Sequence, residues 1–180
     1  MRWAKSISDE FAVGHISYSD GCLYAQSSDR ELYAISLRKK SVLWKFEHPE
    51  AYKTLLNWYD LCPLISGDTV FVYGSLKNVY AIDKRTGKEL WNYGVTGQLL
   101  CGRNFVSTDK TLIGVMRDSA LHAIDISTGK RVWTKNIGNP IAAQSSPVVI
   151  GDAIFLSVGG YLQKISVETG ERLFRWEIPS

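Results

Sequence analysis

Long apolar runs are missing from this chain of 180 residues. No stretch approaches the roughly 18 consecutive apolar residues of a membrane-spanning helix, so no membrane partner is expected. The opening residues, MRWAKSISDEF, hold no apolar core for a secretory signal. Cysteine is scarce: Cys22, Cys62 and Cys101 are odd in number and far apart. That is not a disulfide framework. Buried free thiols in a reducing cytoplasm are expected instead, unless the chain is an excised piece of an exported protein. Charge of one sign is also lacking, with 21 Lys and Arg against 18 Asp and Glu and a net charge of +3. No dense basic strip with stacking aromatics is present, so nucleic acid is not the expected partner. The three histidines, His15, His48 and His122, have no neighbour at metal-ligand spacing. No phosphate loop, dinucleotide fingerprint or nucleophile elbow occurs.

What the chain has is repetition. Trp44, Trp91, Trp133 and Phe174 follow one another at intervals of 47, 42 and 41 residues, and Tyr33, Tyr80, His122 and Gln163 keep the same intervals. Upstream of each lie two more short runs, such as PLIS and TVFVYG, rich in Val, Ile, Leu, Tyr and Phe. Runs of four to six residues bounded by SDG, SGD, RTG, STG and ETG read as strands. Gly87, Gly129 and Gly170 suit the left-handed position of a bulged hairpin. Asp83 and Asp125, just before these turns, are placed to accept from turn amides rather than to catalyse. His122 reads as a packed strand residue. The fold class expected is all-β, with four four-stranded antiparallel blades of a β-propeller. The residue at the Trp position is the expected wedge between neighbouring blades.

The segments VYAIDKRTGKELW and LHAIDISTGKRVW resemble the quinoprotein-type, or PQQ-like, β-propeller repeat. The likeness runs the whole chain. It weakens in the first repeat, where SLRKKS replaces the Thr-Gly turn, and in the fourth, where Ser166 and Phe174 replace Asp and Trp. The blades fall at about 8–47, 61–93, 101–135 and 144–177, in one domain spanning 1–180. RWAKSI aligns with VWTKNI, so residues 2–7 form a surplus outer strand with Trp3 at the wedge position. Three arrangements fit: a closed four-bladed ring, two chains each forming half of a ring as a homodimer, or an arc of a larger propeller.

The resemblance implies a quinone held against a vicinal Cys–Cys ring and a stacked Trp, with calcium on Glu, Asn and Asp and an Asp as base. No two cysteines here are adjacent, and no carboxylate cluster falls on inner strands. Neither cofactor nor catalytic residue is therefore expected; a fold does not carry an activity by itself.

A partner would meet the segments between strands. The longest, EHPEAYKTLLNWYD (47–60), places Tyr52, Leu55, Leu56 and Tyr59 at helical intervals after Pro49. Its apolar side packs on the blades, or Tyr52, Trp58 and Tyr59 reach a partner. The same face should hold the turns Ser28–Glu31, Ser75–Asn78, Arg117–Ala120 and Gly159–Tyr161, bringing Arg30, Lys77 and Arg117. Arg103, in CGRNF, lies near a central channel, where it would hold an anion or pair with a carboxylate. The opposite face carries Arg38, Lys39, Lys40, Lys84, Arg85, Lys88, Lys130 and Arg131. The function expected is a non-enzymatic protein-binding module: a small cytosolic inhibitor, such as a toxin-neutralising immunity protein, or an assembly scaffold. The rival is a fragment of a quinone-dependent dehydrogenase, or a small-ligand sensor.

Overall fold

The computed structural model describes residues 13–27, 31–47, 62–73, 78–94, 105–116, 118, 120–137 and 146–178, with side chains for all of these except 13–15 and 73. Every regular element among them is a strand. Blade 1 holds β1 (Val13–Ser19), β2 (Cys22–Ser27), β3 (Glu31–Ser36) and β4 (Ser41–Glu47). Blade 2 holds β5 (Leu64–Ser66), β6 (Thr69–Tyr73), β7 (Asn78–Asp83) and β8 (Glu89–Gly94). Blade 3 holds β9 (Val106–Ser107), β10 (Thr111–Val115), β11 (Ala120–Asp125) and β12 (Arg131–Asn136). Blade 4 holds β13 (Val148–Ile150), β14 (Ala153–Val158), β15 (Tyr161–Ser166) and β16 (Arg172–Glu177). Each blade is one four-stranded sheet with its strands in chain order. The surplus strand expected at 2–7 and the helix expected after Glu47 lie outside the described residues.

The third and fourth strands of blades 2 to 4 meet in one kind of turn. Gly87, Gly129 and Gly170 sit at φ 72°, 70° and 70°. Their amides donate to the carbonyls of Asp83, Asp125 and Ser166 at 2.9, 2.9 and 3.0 Å. Such a left-handed residue carries almost no conformational penalty when it is glycine. Blade 1 makes the turn with Lys40 at φ 52°.

The chain divides into two compact units, Met1–Ser75 with Val79–Leu90, and Leu76–Asn78 with Trp91–Ser180. In the first, Tyr24, Leu32 and Ala34 of blade 1 bury against Val70, Val72, Tyr80 and Ile82 of blade 2. In the second, Ile113, Val115, Leu121 and Ala123 of blade 3 meet Ile154, Leu156, Val158 and Ile165 of blade 4. Strands alternate their faces, so each core takes one side of each blade.

The tryptophans lock these faces, as the spacing led us to expect. The Trp44 Nε1–H donates to the Lys84 carbonyl at 3.1 Å, Trp91 to Ile126 at 2.8 Å, and Trp133 to Val167 at 2.9 Å. Each ring lies on the turn glycine beside its acceptor. A Cβ built on Gly87, Gly129 or Gly170 would lie 2.6 Å from the ring of Trp44, Trp91 or Trp133. Glycine is needed there twice over, for its backbone and for the ring it carries.

Candidate functional site

The second unit holds a polar cluster built around one buried side chain, His122. The β10–β11 link is tight, with the Met116 amide on the Ala120 carbonyl at 2.9 Å. Asp118 lies inside that link and accepts from the Ala120 amide at 3.2 Å. Its carboxylate meets His122 Nε2 at 2.9 and 3.0 Å. On the other side of the ring, Tyr93 Oη lies 2.9 Å from Nδ1. Thr134 Oγ1 stands 3.3 Å from Nε2. A carboxylate only accepts, so Nε2 carries a proton, and the Nδ1 of a neutral ring accepts from the Tyr93 hydroxyl. Burial pushes the Tyr93 phenol above its ordinary pKa, with nearby Arg131 opposing.

A phenol, imidazole and carboxylate in line form a path for a proton. The imidazole, however, is only 2% exposed, so a substrate atom does not reach it. The cluster acts as a pin: His122, fixed in the sheet, holds Asp118 between β10 and β11. In the first unit Phe46 packs on Tyr80 at the equivalent place, with centroids 5.6 Å apart against 5.7 Å for Tyr93 and His122. The packed-strand reading of His122 is right and incomplete. Asp118, four residues earlier, and Tyr93, two residues after Trp91, were not read as its partners. The signal was a His standing where Tyr80 stands one repeat earlier.

The β3–β4-type turns are also pinned. Asp83 accepts from the Thr86 amide and hydroxyl, both at 2.7 Å, and from the Arg85 amide at 3.1 Å. Asp125 does the same with the Ser127 hydroxyl at 2.6 Å and the Thr128 amide and hydroxyl at 2.8 Å. These donors hold both carboxyls below the usual range, led by the Thr86 hydroxyl for Asp83 and the Ser127 hydroxyl for Asp125. They are turn-forming groups, as expected. Of the basic residues named above, Arg38, Lys39, Lys40, Arg85 and Lys88 in the first unit and Lys130 and Arg131 in the second are exposed. Lys84 is not free: its Nζ reaches Asp20 at 2.8 Å and the Gly67 carbonyl at 2.7 Å.

The cysteine expectation needs correcting. Cys22 and Cys62 are free thiols, but Cys22 is half-buried and Cys62 exposed. Cys62 sits just ahead of β5, its Sγ 3.2 Å from Ser17 Oγ on β1, and it is Pro63 that is buried. Cys101 lies outside the described residues, as do His48 and the seven residues singled out for partner binding: Arg30, Tyr52, Trp58, Tyr59, Lys77, Arg103 and Arg117. Among the described residues no group of three or more His, Cys, Asp or Glu is placed to hold a metal ion.

Comparison with known proteins now bears on the repeat. The family model described as outer membrane protein assembly factor BamB matches residues 1–177. The chain belongs to this PQQ-like repeat family. Its fold is accordingly the all-β propeller class, built here from four four-stranded antiparallel blades. Among solved structures, BamB from Moraxella catarrhalis superposes with a TM-score of 0.70 at 22% identity, over 94% of this chain and 53% of that one. The computationally designed Ika8 protein gives 0.74 at 14% identity, over 93% and 49%. The quinohemoprotein alcohol dehydrogenase of Comamonas testosteroni is 29% identical over 135 residues, 63% of this chain and 19% of that protein. The chain thus spans about a fifth of the length of that dehydrogenase and about half that of BamB. PQQ-like relatives therefore include both enzymes and an assembly factor.

Proposed function

We propose that this chain is a non-enzymatic protein-binding module that acts as an assembly scaffold. The observation that carries the reading is the match of residues 1–177 to a family described as an assembly factor. The BamB structure, which overlays 94% of the chain, supports the same choice. The pinned links support it physically. Binding segments work best on a rigid frame, because less order is then lost on association. The His122–Asp118 contact and the Asp-capped turns supply such a frame. The BamB likeness favours the scaffold form over the inhibitor form. We assign partner contact to the segment 47–60, with Tyr52, Trp58 and Tyr59, and to the charged residues Arg30, Lys77, Arg117 and Arg103.

Capture of partners from the source cell, wild type against Trp58→Ala and Tyr59→Ala, tests this. We expect at least a tenfold loss of the captured protein, and undiminished capture would place binding elsewhere. A second reading rests on the 29% identity to the dehydrogenase: the chain would be part of a quinone-dependent enzyme. Calorimetry with the quinone and calcium separates the two, since binding at micromolar or tighter affinity would favour the enzyme.

A further inference from the structure

The outer strand of blade 4 differs from the other outer strands in what covers it. β4, β8 and β12 each bury or half-bury their tryptophan, whereas every residue of β16 is exposed. β16 forms one edge of its sheet, and an open edge offers its N–H and C=O groups to another strand. After the bulge ahead of Phe174, the side chains alternate between the two faces. Phe174, Trp176 and Ile178 make an apolar row, 57%, 60% and 49% exposed. Arg175 and Glu177 lie on the opposite face, with the Arg175 Cζ 3.5 Å from the centroid of the Tyr161 ring. Among the described residues neither of them is in an ion pair. The main chain alternates as well. The Ile178 amide donates to the Gly160 carbonyl at 2.9 Å. The amides and carbonyls of Phe174, Trp176 and Ile178 therefore turn toward β15, and those of Arg175 and Glu177 turn toward the open edge.

We propose that β16 pairs antiparallel with β16 of a second copy of this chain, about a two-fold axis at Trp176, so that two fourth blades join into one continuous sheet. In this register Arg175 stands opposite the partner's Glu177, and Glu177 opposite the partner's Arg175. These are the residues whose main chain faces the edge, so the same pairs exchange amide-to-carbonyl bonds. On the other face Trp176 lies beside the partner's Trp176, and Phe174 beside the partner's Ile178. Pairs of opposite charge, and of aromatics with aromatic or β-branched residues, are the cross-strand pairs that stabilise sheets. The neighbouring registers lack this match. An axis at Arg175 sets arginine against arginine, and one at Glu177 sets glutamate against glutamate. An axis between two residues sets an edge-facing amide against one that is turned away. The strand meets its own copy, so the contact is isologous and closes at two chains. It lies wholly within blade 4. The inference stands independently of the scaffold role proposed above.

Light scattering on the 180-residue chain tests it. Wild type should reach about twice 20.2 kDa as its concentration rises through the micromolar range. Single chains at every concentration, or growth beyond two chains, overturn the proposal. Glu177→Arg sets arginine against arginine and Arg175→Glu sets glutamate against glutamate, so each variant alone should stay a single chain while keeping its β-sheet circular dichroism. Mixed, the two should form a one-to-one complex. Both changes in one chain, Arg175→Glu with Glu177→Arg, should restore the dimer. Glu177→Pro removes an edge-facing amide and leaves the ladder to β15 intact, and it too should give single chains. Dimers of Glu177→Arg or Glu177→Pro, or failure of either the mixture or the double exchange to associate, would contradict the edge pairing.

Discussion

Blades 3 and 4 share a strand order, a bulge before the third-to-fourth turn and a left-handed glycine, yet one is covered on the side where the other is bare. Trp133 is 9% exposed and Phe174, its counterpart one repeat on, is 57% exposed. Hydrogen bonding within the sheet is therefore not what separates a buried blade from an open one. The difference is whether a neighbouring turn lies under the wedge. A blade supplies its own backbone pairing, and only another blade supplies the rest of its core.

That contrast can be broken most forcefully at Trp133. Trp133→Ala should cost about 3–5 kcal/mol, the usual loss for truncating a buried large aromatic. Leu173→Ala, one residue before the open wedge and 55% exposed, should change stability by no more than about 0.5 kcal/mol. Urea midpoints at constant slope report both. The seats give the next largest effect. Gly170→Ala forces a side chain into a left-handed position, about 1–3 kcal/mol, and pushes a methyl against the Trp133 ring. Lys40→Gly, at a seat of the same backbone form, should instead stabilise the isolated chain by up to about 1 kcal/mol. Tyr93→Phe comes third, at about 1–2 kcal/mol, because His122 Nδ1 is left buried without its donor. An exposed hydroxyl deletion such as Ser127→Ala should not approach that.

The smallest effect is acid-dependent. Asp83 and Asp125 have lowered pKa values in the folded chain. Their contribution is present above the ordinary carboxylate value of about 3.9 and is lost as pH falls through the lowered ones. Asp83→Asn with Asp125→Asn should thus flatten the loss of stability below about pH 4 while leaving the neutral-to-basic range parallel to wild type. Melting temperatures measured from pH 2 to pH 7 show whether the slopes differ.

The blades were legible because Trp44, Trp91 and Trp133 recur with the strand-and-turn pattern around them, and a period is a local property of sequence. The seats were half legible. Gly87, Gly129 and Gly170 announced left-handed turns, but that each lies under the preceding tryptophan depends on how blades stack. The replacement of Trp by Phe174 was visible, while its openness to solvent was not. His122 was read as packed and its partners were missed, since Tyr93 comes from the preceding blade and Asp118 from a link. The contacts chosen for a partner fell in the connecting segments, where no repeat constrains the chain and spacing says least.

The central claim is that a tryptophan of one blade and a glycine of the next form one joint. A double-mutant cycle on Trp133→Ala and Gly170→Ala measures it directly. With the ring gone, the methyl at residue 170 keeps only the flexible Lys135 side chain against it, its Cγ at 2.9 Å, so the double variant should be more stable than the sum of the single losses predicts, by about 1–2 kcal/mol. Additivity to within about 0.3 kcal/mol would mean that the two residues act separately and that the joint is not what holds the blades together.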